Sequence, residues 1–129
     1  MHSLGRQIIA EFYDCDPSLL DSVEHIAKTM REAALKAGAT IVTETFHRFS
    51  PYGVSGAIII AESHLAIHTW PEHGYAAVDL FTCGSTVRTE AALQHLRLGL
   101  KARHISTLEL KRGLLPMMRE REELIEKAS

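Results

Sequence analysis

Apolar residues recur along the chain at two spacings, and the changes between them predict the order of helices and strands. Residues 17–37 carry apolar side chains at helical spacing after an Asp16-Pro17 start, which predicts one long helix. Three leucines on one face predict a second helix over 89–102. A run of charged residues predicts a terminal helix over 119–128.

Segments rich in β-branched and aromatic residues, separated by turn signals, predict six strands. These strands cover 4–12, 39–49, 54–61, 64–70, 75–83 and 103–110. The order βαββββαβ with short hairpin connections predicts an α+β fold, a two-layer sandwich with a largely antiparallel sheet and helices on one face. Residues 57–61 are apolar without alternation, so we expect this strand to be covered on both sides. A second copy would supply the second cover, which predicts a homodimer packed sheet on sheet as αββα.

Length and composition favour one domain, 1–129, that is globular and cytoplasmic. The chain has 129 residues, of which 46% are hydrophobic and 23% charged, with a net charge of −2. A net charge of −2 means that the chain has no overall excess of positive charge that would attract nucleic acid. No apolar run is long enough to span a membrane. Two cysteines cannot form a disulfide framework, and the first residues lack the apolar segment of a signal peptide.

Charge is distributed unevenly, and the middle of the chain is its least charged part. Residues 49–87 contain no Lys or Arg and only three acids, Glu62, Glu72 and Asp79. The same stretch carries several histidines, serines and a cysteine, which are the groups that act as acids, bases and nucleophiles. A catalytic centre built from this stretch would lack a lysine for a pyridoxal phosphate cofactor.

The residues themselves leave the chemistry of Glu62-Ser63-His64 open. One interpretation is that Ser63 is a nucleophile and His68 its base. The other is that Ser63 is a turn serine and His68 a structural histidine. The second interpretation is favoured, because a motif this short is a weak signal of catalysis. Strand alternation places 63 and 68 on opposite faces. The two side chains could meet only if Ser63 lay on a turn or a bulge.

A metal site and simple packing are further interpretations of this stretch. The candidate ligands are His64, His68, His73 and Cys83. Their irregular spacing favours structural histidines over zinc ligands. Cys83 before Gly84 is either a small buried side chain or a reactive group at a strand end. Phe49 and Tyr52 flank a turn, and core packing is the favoured interpretation for both.

Three long segments, 45–56, 62–72 and 75–84, resemble the short bacterial and archaeal S-adenosylmethionine decarboxylases, which are self-processing pyruvoyl enzymes of polyamine synthesis. They read TFHRFSPYGVSG, ESHLAIHTWPE and YAAVDLFTCG. The resemblance runs from Leu4 to about residue 104, and the tail beyond it is not matched by these motifs.

The resemblance implies a proenzyme that cleaves itself. The Ser63 hydroxyl attacks the Glu62 carbonyl, and elimination and hydrolysis then convert Ser63 into a covalent pyruvoyl group, the cofactor in place of pyridoxal phosphate or a metal. His68 resembles the base of this processing, and Ser55 resembles the hydroxyl that assists it by hydrogen bonding to the developing oxyanion. The expected products are a β chain, 1–62, and an α chain, 63–129.

The resemblance also implies how the substrate, S-adenosylmethionine, is bound and decarboxylated for spermidine synthesis. Its amine condenses with the pyruvoyl ketone as a Schiff base, and Cys83 resembles the acid that returns a proton to the α-carbon. Phe49 would stack on the adenine or face the sulfonium cation. Glu72 matches the family position that hydrogen-bonds the ribose, and Glu11 is a further candidate contact.

Three alternatives accompany this hypothesis. An arginine decarboxylase with the same pyruvoyl chemistry would need no aromatic platform, so Phe49 favours S-adenosylmethionine. A catalytically silent dimeric homologue would not require Ser63, His68 and Cys83 together. A zinc-binding module is the third alternative.

Overall fold

The computed structural model describes residues 3–84 and 86–114, which form one antiparallel sheet and its covering helices. The strands are β1 Ser3–Tyr13, β2 Ile41–Arg48, β3 Val54–Ile60, β4 Ser63–Trp70, β5 Tyr75–Cys83 and β6 His104–Leu114. The helices are α1 Pro17–Leu20, α2 Val23–Lys36 and α3 Thr89–Leu100, and a short 3₁₀ turn covers Pro71–His73. The helix predicted over 119–128 lies outside the described residues.

The sheet has the order β2-β3-β4-β5-β1-β6, and each neighbouring pair of strands is antiparallel. Helix α2 packs against α3 and against β2 and β3. The predicted α+β class, with an antiparallel sheet and helices on one face, is therefore confirmed. The sheet-on-sheet dimer stays a prediction.

The single helix predicted over 17–37 is wrong, because the chain breaks it into α1 and α2. Ser22 caps α2, and its hydroxyl accepts a backbone N–H from the first turn at 3.1 Å. The Asp21 carboxylate is bonded to Arg48 at 2.8 Å and to the Gly53 N–H at 2.9 Å. These distant partners hold Asp21 against the β2–β3 loop, and the Arg48 guanidinium and the Gly53 N–H lower the pKa of its carboxyl.

Alternate residues of the strands point to opposite faces, and the helices bury one of these faces. Ile58, Ile60, Leu65, Ile67 and Leu80 on that covered face are at most 2% exposed. We call the other side the open face. Its residues in the three central strands are Ser55, Ala57 and Ile59 of β3, His64, Ala66, His68 and Trp70 of β4, and Tyr75, Ala77, Asp79, Phe81 and Cys83 of β5.

The apolar stretch of β3 is covered on only one of its two sides within the described part of the chain. Ile58 and Ile60 are buried under the helices, whereas Ile59 between them is 44% exposed. Trp70 on the neighbouring strand is 40% exposed. The expected second cover is therefore not provided by the described part of this chain.

Candidate active site

The β3–β4 hairpin places the Glu62–Ser63 bond at the end of the sheet. The turn consists of Ala61 and Glu62, and Ser63 is the first residue of β4, opposite Ile60. Glu62 has a φ of 61°, in the left-handed region that residues with a Cβ seldom adopt. The pairing is regular from Ser63 onward, so the expectation that Ser63 lies on the turn or a bulge is wrong.

The start of β4 lies beside the end of β5, because these neighbouring strands are antiparallel. This arrangement brings Ser63 and Cys83 together although they are far apart in sequence. The Cys83 backbone N–H donates to Ser63 Oγ at 3.1 Å, and both residues are half-buried. The serine hydroxyl is therefore held by a main-chain donor next to the only thiol of the low-charge stretch.

His68 and Ser55 form a second pair, directly opposite one another in β4 and β3. Ser55 Oγ and His68 Nδ1 are 2.7 Å apart and hydrogen-bonded on the open face. A histidine whose Nδ1–H donates to a neighbour keeps a lone pair on Nε2 and can take a proton there. The hydroxyl of Ser55 thus contacts the candidate base directly.

One chain does not bring Ser63 and His68 together. The two residues lie five positions apart on a regular strand. A rise of about 3.3 Å per residue separates their Cα atoms by about 17 Å, and alternation directs their side chains to opposite faces. The candidate nucleophile and the candidate base therefore belong to two separate clusters within one chain.

Phe49 and Glu72 line the same cavity, of about 270 Å³, together with Ser55, His68 and Trp70. Phe49 is 48% exposed, and Tyr52 on the same cavity is 45% exposed. Core packing as the role of these two aromatic residues is therefore wrong. An exposed phenyl ring beside a carboxylate can stack on a base or face a cation while the carboxylate accepts hydroxyl hydrogen bonds.

Glu11 lies in a neighbouring cavity of about 530 Å³, also bordered by Trp70. The Tyr75 hydroxyl donates to Glu11 at 2.6 Å, and the Tyr75 ring stacks on Trp70 with centroids 5.3 Å apart. Burial, followed by the hydrogen bond to Glu11, raises the pKa of Tyr75. Trp70 and Tyr75 were not identified as site residues from the sequence. Trp70 could have been identified, because it lies two residues after His68 on the same strand and its side chain therefore points to the same face.

The residues considered as candidate metal ligands do not assemble into a metal site in the described part of the chain. Among residues 3–84 and 86–114, no group of three or more His, Cys, Asp or Glu side chains is placed to hold a metal ion. The His64 ring instead stacks on Phe81, with centroids 5.7 Å apart. His73 borders the cavity that contains Glu11. None of the helices in this described part is long and apolar enough to cross a membrane.

Comparison with known proteins defines the family. The model of the S-adenosylmethionine decarboxylase family matches residues 6–113. The S-adenosylmethionine decarboxylase proenzyme of Acidithiobacillus ferrooxidans is 60% identical over 118 residues, which cover 92% of this chain and 89% of that protein. The proenzyme of Thermotoga petrophila is 58% identical over 113 residues, which cover 88% and 87%. The chain belongs to the S-adenosylmethionine decarboxylase family.

A solved structure agrees with this assignment. The crystal structure of the adenosylmethionine decarboxylase from Aquifex aeolicus VF5 has a TM-score of 0.82 and 33% identity, covering 89% of this chain and 95% of that chain. The family match also continues to residue 113, beyond the limit near 104 that the motifs indicated. Most of β6 therefore lies within the family region.

Proposed function

We propose that this chain is a self-processing, pyruvoyl-dependent decarboxylase that converts S-adenosylmethionine into its decarboxylated form and CO2 for polyamine synthesis. The observation that carries the proposal is the position of the Glu62–Ser63 bond, at a hairpin end where the Cys83 N–H holds Ser63 Oγ. The names of the proenzyme relatives support the reaction and the cleavage. The free cysteines, Cys15 and Cys83, support a cytoplasmic location.

Processing begins when Ser63 Oγ attacks the Glu62 carbonyl carbon. The carbon–nitrogen bond of the peptide breaks as the ester forms, and the hydroxyl proton moves to the freed nitrogen. Loss of the Ser63 α-proton then expels the Glu62 carboxylate, and tautomerisation and hydrolysis leave pyruvoyl and ammonia. For the hydroxyl to attack the preceding carbonyl, the backbone there has to depart from the regular conformation of a paired strand. Glu62 does so, because its φ of 61° lies in the left-handed region, and this supports the step.

The pyruvoyl carbonyl supplies the electron sink for loss of CO2, in the role of pyridoxal phosphate elsewhere. Cys83 returns a proton to the substrate α-carbon, and the backbone hydrogen bond that sets Cys83 beside Ser63 supports this assignment. Phe49 packs against the adenine or the sulfonium, and Glu72 accepts hydrogen bonds from the ribose in the shared cavity. Glu11, which is engaged by Tyr75, contributes negative charge beside that cavity.

His68 acts as the base of processing, assisted by Ser55, and it reaches the Ser63 α-hydrogen from a second subunit that packs on the open face, whereas the Ser63 side chain is directed to the covered face. The separation of about 17 Å along β4 supports this arrangement, because His68 of the same chain is out of reach. The uncovered open face supplies the surface for a homodimer packed sheet on sheet. Exposed apolar side chains on this face, including Ile59 and Trp70, lose contact with water when two copies pack there.

Intact mass spectrometry and a labelled-substrate assay test the proposed activity. Purified protein should show two chains, 1–62 and a pyruvoyl-blocked 63–129, and should release CO2 from carboxyl-labelled S-adenosylmethionine. Ser63→Ala should remain one uncleaved chain without activity. CO2 from arginine instead would favour the arginine decarboxylase, and a permanently intact wild-type chain would favour the silent homologue.

Co-expression of two inactive variants tests the shared site. Ser63→Ala and His68→Ala should each remain uncleaved when expressed alone. In mixed dimers, the His68→Ala chain retains Ser63 and receives His68 of the partner subunit, so this chain should cleave. A distinguishing tag on each chain identifies which one is cut. Absence of cleavage in mixed dimers, with both variants folded, would contradict processing across the interface.

A further inference from the structure

The Phe49 ring follows directly on β2 and is supported by one aromatic neighbour. Phe49 is 48% exposed, so the protein covers only part of its ring. The turn after β2 holds its backbone, because its N–H donates to the Gly53 carbonyl at 2.8 Å. The His47 imidazole lies against the phenyl ring, with centroids 4.6 Å apart and an interplanar angle of 72°. Of the aromatic ring pairs within residues 3–84 and 86–114, this is the one that includes Phe49.

The contact between His47 and Phe49 has the geometry of an attractive edge-to-face pair. Aromatic rings in this arrangement, with centroids about 4.5–7 Å apart, attract one another beyond the effect of buried area. An exposed phenyl ring without such a neighbour samples several rotamers, and a ligand that stacks on it has to restrict it to one. The His47 ring therefore orients an exposed aromatic surface before any ligand arrives.

His47 lies on the open face, between the candidate base and the cavity of Phe49. It is paired with Ser55 across β2 and β3, and Ser55 is paired with His68 across β3 and β4. These three residues line one cavity of about 310 Å³. Ser55 and His68 also line the cavity that contains Phe49 and Glu72. His47 thus borders both groups of site residues, and its ring contact is with Phe49.

We propose that His47 is a positioning residue that holds Phe49 in place to bind S-adenosylmethionine, an inference that rests on the function proposed above. His47 acts through Phe49 and not on the reacting atoms. The packing of its ring carries this role, because the observed contact is between two ring systems. Removal of the ring should therefore weaken substrate binding and leave self-cleavage and the rate at saturating substrate unchanged.

Steady-state release of CO2 from carboxyl-labelled S-adenosylmethionine by the cleaved enzyme tests this role. His47→Ala should raise KM about 3- to 10-fold, the effect of one aromatic pair, at unchanged kcat. His47→Phe keeps a ring and should stay within about twofold of the wild-type KM. His47→Gln is polar without a ring and serves as the second ring-free variant, with the result expected for alanine. Thr45→Ala, two residues earlier on the same face of β2, is the matched control and should match wild type.

A double-mutant cycle shows whether His47 works through Phe49. Phe49→Ala should raise KM at least as much as His47→Ala, and adding His47→Ala to it should change KM by less than about twofold. Additive effects, a wild-type KM in both ring-free variants, or a His47→Phe variant as weak as alanine would overturn the role. Slow cleavage of the His47→Ala precursor would place His47 in support of Ser55 and would also overturn it. A wild-type protein that releases no CO2 refutes the proposed function itself.

Discussion

Removing the Ser55 hydroxyl is a direct test of how the candidate base is organised. Ser55 Oγ and His68 Nδ1 are 2.7 Å apart. When His68 takes a proton in processing, this bond is made by a charged donor, and such bonds contribute about 1.5–3 kcal/mol. At about 1.4 kcal/mol per tenfold in rate, Ser55→Ala would slow cleavage roughly 10- to 150-fold. Water replaces part of the lost bond at an exposed pair, so we expect a value near tenfold.

The assay is the half-time of precursor cleavage, measured by intact mass at several times after rapid purification. His68→Ala should block cleavage, because it removes the base rather than its support. Thr45→Ala removes a hydroxyl from the strand next to β3, opposite Ala57, and should cleave normally. Ser55→Ala cleaving at the wild-type rate would refute a supporting role for this bond, and complete loss in a folded protein would show that Ser55 does more than support His68.

Further predictions concern Cys83, Thr69 and Cys15. Cys83→Ser should still cleave but release CO2 about a hundredfold more slowly per pyruvoyl group, and wild-type turnover would reduce Cys83 to packing. Thr69 Oγ1 accepts a hydrogen bond from the Val54 N–H and donates one to the Leu20 carbonyl, both at 2.8 Å. Thr69→Val removes both bonds and should lower the free energy of unfolding, measured by urea denaturation, by about 2–5 kcal/mol. A decrease of less than about 1 kcal/mol would contradict this. Burial raises the pKa of the Cys15 thiol to about 11, so less of it is thiolate at pH 8. Iodoacetamide should therefore alkylate Cys15 at pH 8 roughly a hundredfold more slowly in the folded protein than in the unfolded chain. Equal alkylation rates would contradict the burial of this thiol.

The predictions for single elements succeeded where local patterns decide the outcome. The strand predicted over 75–83 is observed as Tyr75–Cys83, because alternating apolar residues between two turns are sufficient to define it. The helix predicted over 17–37 failed at Asp21, because the partners of this carboxylate come from residues far along the chain. The contacts of Asp21 have no local signal in the sequence, although Ser22, as an N-cap residue, marks the start of α2 locally.

The candidate site divides in the same way. The residue types of the low-charge stretch and their ordered motifs were sufficient to indicate the family and to select Ser63, His68 and Cys83 as candidates. The contact of Ser63 with Cys83, the contact of Ser55 with His68, and the exposure of Phe49 depend on strand register and layer order. These contacts join residues that are distant in sequence, so the spacing of side chains along the chain cannot predict them.

The sequence by itself determined the strand-rich α+β class and the chemistry available in residues 49–87, because side-chain types and their spacing act locally. Only the tertiary structure decided which of these groups meet. The regular pairing of β4 keeps Ser63 about 17 Å from His68 and sets Ser63 beside β5. Hydrogen bonds between strands fix that register, and side-chain direction follows from it, so the assignment of partners is a property of the whole sheet.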